Sequence, residues 1–520
     1  MKAPPMTLAR LLLATSILCV GGCTMGPDFE RPDASLPSSY AYADGVGETD
    51  PAAMDAWWLS FDDPVLAELV DIAKRENLDL RIAASRIEQA RYGLAATRGL
   101  GLPGVQAVGS ANVTRLSENS GISALASAFG GGSNSGQGGG GAGGGSGGGS
   151  GSQGQGIGLP GTTIESYSAG FDARWEPDLF GKARRTREAA NAQVEQAVWN
   201  ERAAQVSIAA EVARTYFMLR SIEEQIVIDE AELADVERSM EIDRLRVEEG
   251  LAPGSTLPGA ATDVERMRAS IVQLQGQYRS TLASLALLLG RPLQEVSPLL
   301  DTAPSEDGFA VPRIAPGTPA ALLRRRPDIA AAEAQLHAAT AQIGVQTASL
   351  FPDISVTGIV ELLSNSLSNL ISSDSIQAVG QGQIGFPVLD FGRGKAMVGK
   401  AKAAADESYL SYQRTVLGAL NDTETALSNV ASARSERDAA AQIVANAAST
   451  LRSAEVAHDS GLTNFAPVLQ QRIAYREAMV RLVQAEASVR MATVALFKAL
   501  GGGWSADEQP SHGAADNEAP

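Results

Sequence analysis

Apolar and polar positions along this chain follow two rhythms, and each rhythm returns in the second half. The first is alternation. Val105, Ala107, Gly109, Ala111 and Val113 alternate with Gln106, Ser110, Asn112 and Thr114, broken only at Val108. Tyr167, Ala169, Phe171, Ala173 and Trp175 alternate with Ser166, Ser168, Gly170, Asp172 and Arg174. Ile354, Val356, Gly358 and Val360 begin a third stretch; Ile376, Ala378, Gly380, Gly382, Ile384 and Phe386 form a fourth, against Gln377, Gln381 and Gln383. Period two marks strands with one apolar and one polar face, and the small, Gln-rich polar face fits a barrel with a wet interior.

The second rhythm is helical. From Lys182 to Glu249 there is neither Gly nor Pro, and Val212, Leu219, Ile226, Leu233 and Met240 fall every seventh residue. That spacing predicts a coiled-coil seam. About 65 residues at 1.5 Å each reach roughly 100 Å, far beyond a bilayer core of about 30 Å. The counterpart, Lys400 to Ser460, is interrupted only by Gly418. Both helices are expected to end at a Gly-Leu turn, Gly250-Leu251 and Gly461-Leu462, where glycine suits the left-handed position that closes a helix. Returning helices should run to Gly290 and Gly501, and a helix over Pro64 to Thr97 should precede the first strands.

These elements belong to one unit used twice. Gly250 recurs as Gly461, Phe180 as Phe391, Arg279 as Arg490, Leu285 as Leu496 and Gly290 as Gly501, all at an offset of 211 (461 − 250). Upstream, Asp79 matches Asp328, Ala90 matches Ala339 and Pro103 matches Pro352, an offset of 249 (352 − 103). The first copy thus carries 38 extra residues (249 − 211), which the Gly/Ser-rich tract supplies. The expected organisation is a leader over 1–22, an extended segment over 23–62, a first repeat over 63–298 with a Gly/Ser-rich loop at 119–162, a second repeat over 299–504 and a polar tail over 505–520. The loop's composition fits a flexible linker, and no Gly-Lys-Ser/Thr follows it to bind phosphate.

Composition narrows the function. The net charge of −18 disfavours a nucleic-acid partner. Cys19 and Cys23 are the only cysteines, so the body of the chain holds neither a disulfide framework nor a Cys-based zinc site. Lys2 and Arg10 precede the apolar run Leu11–Val20, which is too short to span a bilayer and reads as a secretory leader. Val20-Gly21-Gly22-Cys23 resembles a lipobox, which implies cleavage before Cys23 and attachment of diacylglycerol and palmitoyl lipid there. The alternative is ordinary cleavage near Gly22 with an unmodified cysteine. No later segment reads as a transmembrane helix, so a spanning part must be β. Four strands cannot close a membrane barrel, and three chains would supply twelve. His337, His458 and His512 are the only histidines, no catalytic constellation surrounds them, and no enzyme activity or other cofactor is expected. Arg324-Arg325-Arg326 reads as a source of local ion pairs.

Cys23 to Pro32 (CTMGPDFERP), Arg325 to Ile329 (RRPDI), Phe386 to Gly394 (FPVLDFGRG) and Leu496 to Trp504 (LFKALGGGW) together resemble the TolC-like outer-membrane factors of the NodT lipoprotein type. The resemblance spans the mature chain except the Gly-rich tract and the tail. It implies a mixed α and β fold in which long coiled-coil helices form a trimeric periplasmic α-barrel and the strands share a 12-stranded outer-membrane β-barrel. It also implies a lipid-anchored homotrimer in the outer membrane, joined to a periplasmic adaptor and an inner-membrane pump, often proton-driven, for the export of drugs and other small molecules. The tips Gly250, Leu251, Gly461 and Leu462 would touch the adaptor. Relatives commonly gate the periplasmic end with an Asp beyond the second Gly-Leu; Gln470 stands there, after Ala466 and Pro467, and Thr256 holds the matching place after the first. An uncharged constriction involving Leu462, Phe465, Ala466 and Gln470 is therefore expected. Pro253-Gly254-Ser255-Thr256-Leu257-Pro258-Gly259 should delay the first returning helix. A trimeric autotransporter-like adhesin is the competing class, although such proteins gather their strands at the C-terminus.

Overall fold

The computed structural model describes residues 24–33, 36–42, 54–115, 163–301, 311–312, 317–320 and 325–505. The expected leader, Cys23, the Gly/Ser-rich loop at 119–162 and the tail from 506 lie outside the described residues. The chain divides into two compact units.

The first unit comprises, of the described residues, those within 96–184 and 345–395 together with Thr24 and Met25. It carries β1 (Gly104–Arg115), β2 (Thr163–Trp175), β3 (Asp353–Ser364) and β4 (Ile376–Gly385), antiparallel neighbours in the order β1-β2-β3-β4. Register keeps the two sequence patterns on opposite faces. Ala107, Phe171, Val360 and Ala378 lie in one row across the sheet, and Arg174, Thr357 and Gln381 lie in another. The polar face is joined by Gln106 donating to Asp172 (3.3 Å) and by a Ser110–Ser168 hydroxyl pair (2.9 Å). Below the strands, Phe180 stacks on Phe351 at 4.9 Å, and the Trp175 indole donates to the Gly101 carbonyl.

The second unit comprises 26–95, 185–344 and 396 onward, and is helical. The helix expected over 64–97 is two, α1 (Pro64–Glu76) and α2 (Leu78–Arg98). Asn77 divides them: its backbone N–H closes α1 on Ala73, while its side-chain oxygen accepts from the Asp79 and Leu80 amides and so opens α2. Its side-chain amide donates to the Leu288 carbonyl, so both polar ends of this buried side chain at a helix junction are hydrogen-bonded. α3 (Lys182–Glu248) and α6 (Arg393–Asp459) are each 67 residues long and displaced by the same 211 at both ends (393 − 182, 459 − 248). α6 thus starts seven residues before Lys400, because Asp390 accepts from the Gly392 and Gly394 amides and lets the helix begin beside Gly394, at Arg393. α4 (Leu257–Leu289), α5 (Pro327–Ala348) and α7 (Ala466–Ala499) are the other long helices among the described residues. Pro258 sits in the first turn of α4, where its missing N–H costs nothing, so the delay is only two residues relative to α7 (257 against 466 − 211).

The core of this unit is aromatic. Trp57 and Phe61, on a short 3-10 turn, meet Phe497 (5.1 Å from Trp57) and Phe217 (5.0 Å from Phe61), with Leu66, Leu285 and Leu289 fully buried around them. Each such side chain contributes about 1.5–3 kcal/mol of burial. Asp63 accepts from the Val65 and Leu66 amides to cap α1 and receives the Tyr216 hydroxyl at 2.7 Å. Among the described residues no helix is long and apolar enough to cross a membrane.

Candidate functional site

Both long helices end in the same six-residue geometry. At the first, the Leu251 amide donates to the Arg246 carbonyl and the Gly250 amide to Val247; at the second, Leu462 donates to Ala457 and Gly461 to His458. Gly250 and Gly461 take φ of 71° and 72°. This Schellman closure commonly tucks the residue after the glycine against the helix's own last turn. Here that residue is leucine in both copies, and both are 78 % exposed. Ending the helix explains the glycines and leaves the leucines unexplained.

The surroundings of the two tips differ. The first is laced by exposed ion pairs: Arg244 with Glu241 and Glu248, and Arg268 with Glu237 and Glu265. A groove of about 880 Å³ beside it is lined by Met240, Asp243, Thr256, Asp263, Met267 and Leu469, among others. At the second tip, Phe465 is half-buried. Its ring lies edge-on to His458 (5.6 Å) and under the guanidinium groups of Arg238 (5.5 Å) and Arg472 (5.9 Å). Such cation–π contacts are worth about 0.5–1 kcal/mol each where exposed. Ala466 and Gln470 are exposed. His458 donates to the Thr463 carbonyl, a local loop contact.

Sequence reasoning missed the charges behind Phe465. Asp235 accepts a hydrogen bond from Arg472 (3.3 Å) and forms an ion pair with Arg476 (2.6 Å), and Arg472 also reaches Glu455 (3.1 Å). The hydrogen bond to Glu455 leads the causes that raise the Arg472 pKa. Arg472 and Arg476 lie four apart on one helix face, a visible signal, but their common carboxylate comes from a helix more than two hundred residues away. One turn further back, burial pushes the Glu232 carboxyl up, assisted by Asp229.

Near the N-terminus, Thr24 packs against Gly181, where a Cβ would come within 2.9 Å of it, and the Met25 amide donates to the Phe180 carbonyl. The segment after it lies along the helices: Asp28 meets Arg185 (2.6 Å), Phe29 stacks on His337 (4.5 Å), and Arg31 meets Glu333 (2.7 Å). His337 also hydrogen-bonds Glu188 (3.2 Å), so packing and hydrogen bonding account for it. Of the basic run, Arg324 lies outside the described residues; Arg326 makes the expected local pair with Asp328, but Arg325 reaches Asp55 and Arg326 also reaches Asp422, both distant in sequence.

Comparison with known proteins agrees with this architecture. Residues 69–291 and 318–502 match the family model described as outer membrane efflux protein. The outer membrane protein OprJ of Pseudomonas aeruginosa is 28 % identical over 507 residues, covering 97 % of each chain. The antibiotic efflux pump outer membrane protein ArpC of Pseudomonas putida is 28 % identical over 508 residues, covering 96 % of each. Among solved structures, the outer-membrane channel OprN superposes with a TM-score of 0.77 at 28 % identity, covering 93 % of this chain and all of that one.

Proposed function

The chain belongs to the outer membrane efflux protein family, and from that membership we propose how it works: as a trimeric exit duct through which an adaptor and an inner-membrane pump expel small organic molecules, antibiotics among them. It is an outer-membrane channel and not an enzyme. The observation that carries the reading is the sheet. Four antiparallel strands leave β1 and β4 as open edges, and open edges are not viable in lipid. β1 and β4 run in opposite directions, so copies joined edge to edge continue an antiparallel sheet, and three copies close a barrel of twelve strands. The adhesin reading has no support from the family or the strand order.

Within this duct Gly250, Leu251, Gly461 and Leu462 contact the adaptor, and the exposed leucines support that role. Phe465, with Ala466 and Gln470 on the same helix start, narrows the periplasmic end. The narrowing is uncharged in its lining but braced by Arg238, Arg472 and Asp235. Cys23 carries the lipid; in the chain that follows, Asp28 pairs with Arg185 and Arg31 with Glu333, and Glu424 accepts from the Ala41 and Tyr42 amides.

The test is deletion of the gene in its host followed by complementation. The expected result is a heat-modifiable trimer in the outer-membrane fraction and antibiotic sensitivity on deletion that the wild-type gene reverses. Unchanged sensitivity to every compound that the neighbouring pump exports would overturn the reading.

A further inference from the structure

The repeat fixes the register of a strand pair that lies between chains. The strand pairings obey the same offsets as the sequence. Gly104 pairs with Arg174, and Val113 with Glu165. Moving the β1 member by 249 and the β2 member by 211 gives Asp353 with Gly385 and Leu362 with Ile376, and both are pairs of the β3–β4 ladder. The β2–β3 ladder has no equivalent within the chain. Its counterpart joins β4, the equivalent of β2, to β1, the equivalent of β3, and these are the two outer strands.

We propose that β4 of one copy pairs with β1 of the next in the transposed register of the β2–β3 ladder. This rests on the trimeric reading above and adds to it which residues meet. Trp175 opposite Val356 becomes Phe386 opposite the neighbouring copy's Ala107 (175 + 211, 356 − 249). Gly170 opposite Glu361 becomes Gln381 opposite the neighbour's Asn112, and Asp172 opposite Ile359 becomes Gln383 opposite Ser110.

The side chains support that register independently of the arithmetic. Gln381 and Gln383 lie on the polar face, as do Asn112 and Ser110, while Ile384, Gly382 and Gly380 meet Gly109, Ala111 and Val113 on the other. A slip of one residue would set glutamines against the apolar row. A slip of two keeps the faces, so the repeat, and not the alternation, decides between those registers.

The same transposition accounts for two exposed apolar side chains next to the edge strands. Phe180 stacks on Phe351 within the chain. Its equivalent, Phe391, is 91 % exposed, and the equivalent of Phe351 is Leu102, 62 % exposed (351 − 249). In the assembled ring Phe391 of one copy covers Leu102 of the next, so each seam carries the plug that the chain already shows once.

Cysteine cross-linking of the full-length channel in detergent tests the register. Cys19 and Cys23, the only natural cysteines, lie at the N-terminus, and single-cysteine variants control for them. Under mild oxidation N112C/Q381C is expected to convert monomer to covalent dimer and trimer on non-reducing gels. N112C/Q383C and N112C/V379C, two residues out of register, are expected to stay largely monomeric. S110C/S168C, paired within one chain, should close without forming oligomers. Stronger linking by either shifted pair, or no linking by N112C/Q381C where S110C/S168C closes, overturns the register. A wild-type channel that is not trimeric by light scattering instead overturns the trimer. For the plug, F391A and L102A should each lower the temperature at which the trimer dissociates, with the double variant no lower than F391A alone; additive losses would show that the two do not touch.

Discussion

Truncating the tip leucines separates docking from folding. Leu251 and Leu462 each follow a glycine at positive φ and are 78 % exposed, so replacing both with alanine should alter channel stability by no more than about 0.5 kcal/mol apiece. If each is buried in the adaptor, the loss is of a different size. Full burial of a leucine is worth about 1.5–3 kcal/mol, so truncation forfeits roughly 2 kcal/mol per tip, about thirtyfold in that contact's affinity. Three copies present six such tips, and the deficit repeats at each. The assay pairs two readouts on one variant, L251A/L462A: the dissociation temperature of the purified trimer, and antibiotic accumulation in cells carrying the intact adaptor and pump. Unchanged dissociation with lost efflux is the expected result. Wild-type efflux in the double variant would refute the docking role, and a trimer that falls apart at lower temperature would show that the leucines serve assembly. Gly250→Ala gives the contrast. No atom lies within 4 Å of the added Cβ, but φ of 71° costs a non-glycine residue about 1–2 kcal/mol, so this change should loosen the tip itself.

Three further outcomes follow from named groups. Tyr216→Phe removes a fully buried hydroxyl that donates to Asp63 (2.7 Å) and accepts from Arg220 (3.2 Å); a loss of about 1.5–3 kcal/mol is expected in denaturant unfolding, and a change below 0.5 kcal/mol would sink the assignment. Burial raises the Glu232 carboxyl, so the folded protein holds that proton more readily and its ionisation penalises stability above the raised pKa. Glu232→Gln should therefore raise the melting temperature at pH 7, with the gain shrinking as pH falls toward the ordinary Glu value of about 4.3; a gain that grows on acidification would contradict this. Cys23→Ala should abolish incorporation of labelled palmitate while leaving the strand sheet intact, and continued labelling would refute lipidation at that residue.

Much of the fold was legible because periodicity reports burial directly. The alternation from Tyr167 to Trp175 placed β2, and the Gly-free run placed α3 to within a residue. What failed were decisions made by single side chains. Asn77 reads as an ordinary helical position until Leu288, more than two hundred residues away, supplies the partner for its amide. Trp57 and Phe61 lie in a segment whose pattern is irregular, and only the packed helices reveal them as the centre of a core. The ion pairs near the second tip were hidden in the same way: Asp235, Arg472 and Arg476 lie where neither turn sequence points.

The two tips share their backbone closure but not their chemistry, and for an adaptor docking at the tips that difference would make two kinds of site. The helix stop is repeated at an offset of 211 down to the pairs of hydrogen bonds, so the two copies end their long helices by the same backbone geometry. Around it the copies diverge: exposed Arg–Glu pairs and a 3-10 turn at Gly254–Thr256 in the first, a phenylalanine braced by two arginines in the second. Three chains therefore present six leucines on two alternating backgrounds. A partner binding through the leucines alone would meet six equal sites, whereas one that also senses the flanking charge meets three pairs. Because exposed ion pairs weaken with salt while leucine burial does not, raising ionic strength should reduce binding at the first tip more than at the second. Single variants L251A and L462A, compared across salt concentrations, would expose the difference, and identical salt dependence would show that the partner reads only the shared leucine.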